Sequence, residues 1–85
     1  MSQFEKALER IRNIPKDYTY SEAKTLLLHL GFCEFNKGKT SGSRVKFYRK
    51  NDGKSVLLHK PHPGDIMSIS STRDLYEYLC EIGEL

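Results

Sequence analysis

The run from Arg44 to His59, RVKFYRKNDGKSVLLH, constrains the fold of this chain more than any other stretch. Both of its arms alternate with period two, as strands do when one face is covered and the other is open. The Asn51-Asp52-Gly53 between them reads as a hairpin, because Asp-Gly accepts the positive φ of a tight turn. If Asp52 and Gly53 form a two-residue turn, Asn51 lies across from Lys54, Phe47 from Leu58, Tyr48 from Leu57 and Lys46 from His59. Val45, Phe47, Val56 and Leu58 then share one face. A three-residue turn would pair Tyr48 with Val56 and Lys46 with Leu58, mixing the faces, so the two-residue turn is preferred. The other face carries Arg44, Lys46, Tyr48, Lys50, Leu57 and His59, a basic surface with one aromatic ring and one imidazole.

A third short strand is expected over 32–36, where the same alternation recurs. The flanks change to helical period. Ser2 and Glu5 fit a capping box ahead of Phe4, Ala7, Leu8 and Ile11, predicting a helix over 3–13 that stops before Pro15. Thr19 and Glu22 repeat the box ahead of Ala23, Leu26, Leu27 and Leu30, with Gly31 as the C-terminal cap. Ser71 and Asp74 precede Leu75, Tyr78, Leu79 and Ile82, predicting a last helix over 72–82 with Gly83 behind it. The expected fold is α+β, in the order α-α-β-β-β-α, with a three-stranded antiparallel sheet and the helices packed on one face.

Length and charge bound the function. A chain of 85 residues supports one core, because domains of this size bury only about 60% of their unfolded surface. No apolar run approaches the roughly 20 residues of a membrane span, and the N-terminus lacks a signal-peptide pattern, so a cytoplasmic location with no membrane is expected. Cys33 and Cys80 have no metal-ligand or disulfide spacing and read as buried thiols acting as small apolar side chains. The net charge of +3 is unevenly spread: residues 37–60 hold eight Lys/Arg against Asp52 alone, and the rest of the chain is net acidic. A segregated basic segment points to an anionic partner with extended charge, of which nucleic acid is the commonest.

Two segments could carry chemistry. In Thr40-Ser41-Gly42-Ser43-Arg44 the hydroxyls, the backbone approach at Gly42 and the fixed charge of Arg44 suit a backbone phosphate, though the spacing of a Walker loop is missing. In His59-Lys60-Pro61-His62-Pro63-Gly64-Asp65 two prolines fix the backbone as it leaves the third strand. The expected register sets His59 opposite Lys46 and near Arg44. A neutral imidazole beside cations that grip a phosphate is what metal-independent RNA cleavage needs: the base takes the ribose 2′-hydroxyl proton, and Arg44 or Lys46 stabilises the phosphorane. His59 can equally serve as one more phosphate or ribose contact. A cation held by His59, His62 and Asp65 is opposed by the surrounding positive charge, so no metal or other cofactor is expected. His29 lies off the apolar stripe of its helix and reads as plain surface.

Gly31-Phe32, Gly42-Ser43, the aromatic in Val45-Lys46-Phe47-Tyr48-Arg49, the Asn51-Asp52-Gly53 turn and the HKPHPGD segment before the last helix occur in the order and spacing of the HicA toxin family. Over roughly residues 20–84 the chain resembles these mRNA interferases of HicA-HicB toxin-antitoxin modules. The resemblance implies a double-stranded-RNA-binding-like fold over 19–85, with 1–18 as an N-terminal helical extension. It further implies metal-independent cleavage of mRNA and a HicB-like antitoxin that covers the site. Family members place the catalytic histidine after Gly-Ser in a GSH or GSxH pattern, whereas this chain reads Gly42-Ser43-Arg44-Val45, and Arg44 cannot act as a general base because it keeps its proton. The expected catalytic residues are therefore His59 and Arg44, and the expected RNA contacts are Lys39, Gly42, Ser43, Arg44, Lys46, Tyr48, Lys50, Lys60 and His62. Three functions stay open at this point: an RNA-cleaving toxin, a catalytically silent RNA-binding module, and a basic domain that recognises an acidic protein.

Overall fold

The computed structural model describes residues 2–35, 44–61 and 64–85. Among them the elements run α1 (Gln3–Ile11), α2 (Tyr20–His29), β1 (Cys33–Phe35), β2 (Arg44–Arg49), β3 (Lys54–His59) and α3 (Ile69–Glu81). The strands form one antiparallel sheet in the order β1-β2-β3. This is the expected α+β order with the helices on one face.

Local chemistry sets the helix ends. The side chain of Ser2 accepts from Glu5 N–H and that of Thr19 from Glu22 N–H, and each glutamate returns a carboxylate to the cap's own N–H. Both capping boxes thus form as the sequence predicts. Helix α2 closes in a Schellman motif: Phe32 N–H reaches Leu27 C=O at 2.9 Å and Gly31 N–H reaches Leu28 C=O at 3.2 Å. Gly31 takes φ +97°, which an L side chain resists. Helix α3 closes in the same way, with Glu84 N–H on Leu79 C=O at 2.9 Å and Gly83 N–H on Cys80 C=O at 3.1 Å. Its start differs from the expected one. Ser68 is the cap and accepts from Ser71 N–H, so the helix begins three residues before position 72. Ser71 sits inside the first turn, where its N–H needs a partner rather than supplying one.

One core joins all three helices to the sheet. Ala7 and Ile11 of α1, Leu26 and Leu27 of α2, Phe47 of β2, Leu58 of β3, and Leu75 and Leu79 of α3 are buried in it. Helix α1, expected as an extension, therefore contributes to the same core as the rest. It is tied to the connection ahead of α2 by the Tyr18 hydroxyl, which donates to Ala7 C=O at 2.8 Å, and by the Arg10–Asp17 pair, and to α2 itself by Arg10 on Glu22. His29, expected as plain surface, is exposed but stacks on Phe4 with ring centroids 3.8 Å apart.

The hairpin register departs from expectation by two residues. Arg49 pairs with Lys54, Phe47 with Val56, Lys46 with Leu57 and Arg44 with His59. The loop is therefore the four residues 50–53. The faces survive, because a shift of two preserves the side-chain alternation where a shift of one would invert it. Asp52 explains the longer loop: its carboxylate turns back onto the guanidinium of Arg49 at 2.8 and 3.1 Å and accepts from Lys54 N–H at 3.3 Å. Those bonds close the hairpin at Arg49 and Lys54 rather than at Asn51.

The thiols also depart from expectation. Both Cys33 and Cys80 are free and exposed. Cys33 is the Cα partner of Tyr48 and so lies on the open face of the sheet. Cys80 follows the buried Leu79 by one residue, about 100° around the helix and off its apolar stripe.

Candidate nucleic-acid interface

Residues that are direct partners across an antiparallel ladder share a face, with Cβ atoms about 4.5–5.5 Å apart. Three rows follow on the open side of the sheet: Cys33-Tyr48-Ser55, Phe35-Lys46-Leu57 and Arg44-His59. Strand β2 makes the division sharply, with Val45, Phe47 and Arg49 buried and Arg44, Lys46 and Tyr48 exposed. On β3 Leu57 and His59 are exposed while Leu58 is buried.

The structure thus brings together Arg44, Lys46, Tyr48 and His59 of the expected site. It corrects their pairing, since His59 stands opposite Arg44 and not Lys46. Among the described residues, Arg44, Lys46 and His59 take part in no ion pair. Lys50 lies in the loop past the end of β2 rather than on the strand face, and Lys60 follows the end of β3; both are exposed. Lys39, Gly42, Ser43 and His62 lie outside the described residues, as do Thr40 and Ser41 of the Ser/Thr/Gly segment.

Two members of this face escape a reading by charge. Phe35 of β1 is 47% exposed, and the ammonium of Lys46 lies 5.8 Å from its ring centroid. Leu57 is 58% exposed. The alternation in β1 could have assigned Phe35 to a face, but not to the neighbourhood of Lys46, which depends on the β1–β2 register.

Arg49 has a different role from the other bases of the segment. It is buried under the helix side, where Nη1 donates to Glu84 at 2.8 Å and to Leu30 C=O at 3.1 Å. Nε and Nη2 fork onto Asp52, and the guanidinium lies 4.8 Å from the Phe32 centroid. The hydrogen bonds it donates to Asp52 and then to Glu84 hold its pKa above the usual arginine value, and the same bonds hold the Asp52 carboxyl below its own. This cation is neutralised internally and does not add to the open face.

Asp65 is likewise committed. Its carboxylate accepts from Ser21 N–H at 3.2 Å and its carbonyl from Tyr20 N–H at 2.7 Å, so it satisfies donors at the start of α2. Met67 N–H reaches Tyr18 C=O at 2.8 Å and completes a bridge that folds the segment after β3 back onto the helices. Tyr20 packs beside this junction; burial, followed by the nearby Glu34 carboxylate, pushes its pKa up to about 12.

Compared with known proteins, the chain matches no family model, no curated protein and no solved structure. Among the described residues no helix is long and apolar enough to cross a membrane.

Proposed function

We propose that this chain is an RNA-binding, HicA-like toxin that acts in the cytoplasm as a metal-independent mRNA endoribonuclease and is restrained by a HicB-like antitoxin. The observation that carries this function is the gathering of Arg44, Lys46, Tyr48 and His59 on one uncovered sheet face, with Arg44 directly across from His59. In this role His59 removes the ribose 2′-hydroxyl proton. The 2′-oxygen attacks the adjacent phosphorus, the P–O5′ bond breaks, and the products are a 2′,3′-cyclic phosphate and a 5′-hydroxyl protonated from water. Arg44 and Lys46 balance the charge that grows on the phosphoryl oxygens. Lys50 and Lys60 extend the positive surface at either end of the hairpin, and Lys39, Gly42, Ser43 and His62 are proposed as further RNA contacts.

A second function rests on one specific observation. Arg44 occupies the strand position where the resembled family has its histidine, and an arginine there binds phosphate but abstracts no proton. The chain would then hold RNA without cutting it. Labelled RNA incubated with the purified protein, with and without chelator, separates the two. For the nuclease, cleavage persists in chelator and falls about 10²- to 10⁴-fold in His59→Ala. Intact RNA in every tube, with retention on the protein, establishes the silent binder instead. Cleavage abolished by chelator alone eliminates the metal-independent mechanism.

A further inference from the structure

The open face carries three large apolar side chains that proton transfer and charge do not explain. Phe35, Tyr48 and Leu57 are 47%, 38% and 58% exposed. They are grouped rather than scattered: Phe35, Lys46 and Leu57 form one row across the three strands, and Tyr48 stands in the next row along β2. Phe35, Lys46 and Tyr48 together line a shallow depression of about 240 Å³. The Lys46 ammonium lies over the Phe35 ring, 5.8 Å from its centroid, so an aromatic ring and a cation stand within the span of a single nucleotide.

A phosphate alone would need the cations and not the rings. An apolar protein surface would be matched to the rings and penalised by Arg44 and Lys46, which it would strip of water. Single-stranded nucleic acid satisfies both, because its bases stack on aromatic faces while its phosphates meet the adjoining cations. A duplex keeps its base faces stacked internally and offers only grooves and backbone.

We infer that the open sheet face is a stacking platform for unpaired RNA, in which Phe35 and Tyr48 each receive a base and Arg44 and Lys46 hold the intervening phosphates. Leu57 provides the apolar floor beside Lys46. The inference rests on the RNA-binding function proposed above and narrows it to single strands, where the resemblance to a double-stranded-RNA-binding fold would suggest duplexes.

The test uses a short fluorescein-labelled oligouridylate and a blunt RNA duplex of the same length at one fixed salt concentration. Phe35→Ala and Tyr48→Ala are each expected to weaken single-strand binding about 5- to 150-fold, the range that base–aromatic stacking supplies. Tyr48→Leu keeps the apolar bulk without the ring and should lose as much. Because the chain has no tryptophan, Tyr48→Trp places one reporter on the face, and its emission should be quenched on adding the oligouridylate. The stacking inference falls, with RNA binding intact, if the duplex binds as tightly as the single strand. It falls equally if Arg44→Ala and Lys46→Ala weaken binding while the ring variants do not. Absence of binding to either RNA at low salt overturns the RNA-binding function itself. A wild type that is dimeric by light scattering and becomes monomeric in Phe35→Ala with unchanged RNA affinity makes the face a protein interface, and the inference is then wrong.

Discussion

Arg49 offers a sharp test of the division between internal and external bases. Replacing it with alanine removes a fork to Asp52 at 2.8 and 3.1 Å, a bond to Glu84 at 2.8 Å, a bond to Leu30 C=O at 3.1 Å and the stacking of the guanidinium on Phe32. Removing one partner of a fully buried ion pair costs about 3–5 kcal/mol. Here the carboxylates of Asp52 and Glu84 are 36% and 30% exposed, so both recover water when the arginine goes. The carbonyl of Leu30 and the face of Phe32 do not regain an equivalent partner. The cost is therefore set lower, at about 2–4 kcal/mol. In a chain of 85 residues that lowers the melting midpoint by roughly 10–30 °C. Arg49→Lys keeps the charge but cannot fork, and is expected to fall between the two. Arg44→Ala, on the open face, should leave the midpoint nearly unchanged and weaken the RNA binding proposed above instead. Thermal unfolding followed by circular dichroism, repeated in urea, reads all three. An Arg49→Ala midpoint within about 2 °C of the parent would refute the assignment of Arg49 as an internal clamp.

Further expectations concern the caps, the titrating groups and the thiols. Thr19→Ala removes the oxygen that accepts from Glu22 N–H and should destabilise by about 1 kcal/mol in a urea titration. On the acid side, the Asp52 carboxyl titrates below its ordinary value of 3.8 when folded, so its stabilisation is complete above that pH. It is lost as pH falls, and Asp52→Asn should flatten this part of the stability profile. On the alkaline side, the Tyr20 hydroxyl is raised from 10.0 to about 12, so stability declines as pH climbs between those values, and Tyr20→Phe should reduce that decline. Both Cys33 and Cys80 are exposed, and a thiol reagent should modify both in the folded protein without denaturant.

What the sequence by itself determined is short-range. The capping boxes at Ser2 and Thr19, the glycine ends at Gly31 and Gly83, and the two-sided alternation of β2 and β3 all form as predicted. Each depends on groups a few residues apart, so propensity and period suffice. From the alternation also came the grouping of Arg44, Lys46, Tyr48 and His59. The pairing of His59 was not legible, because sliding the hairpin by two residues moves every partner yet buries the same side chains. Only the bonds that Asp52 accepts from Arg49 and Lys54 distinguish the two registers. In α3 the sequence pointed to Ser71 as the cap, but the helix starts behind Ser68, whose side chain accepts from Ser71 N–H.

The tertiary structure alone decided which bases remain available. In the sequence Arg49 is one of eight Lys/Arg in the basic segment. Besides the local Asp52, its neutralising partner Glu84 lies 35 residues away and arrives through the Schellman turn at the end of α3. Phe35 joins the face by the same kind of long-range event, the pairing of β1 with β2 that sets it beside Lys46. Charge and exposure are properties of where side chains meet in space, and contacts of that range are settled only when the sheet and the helices pack together.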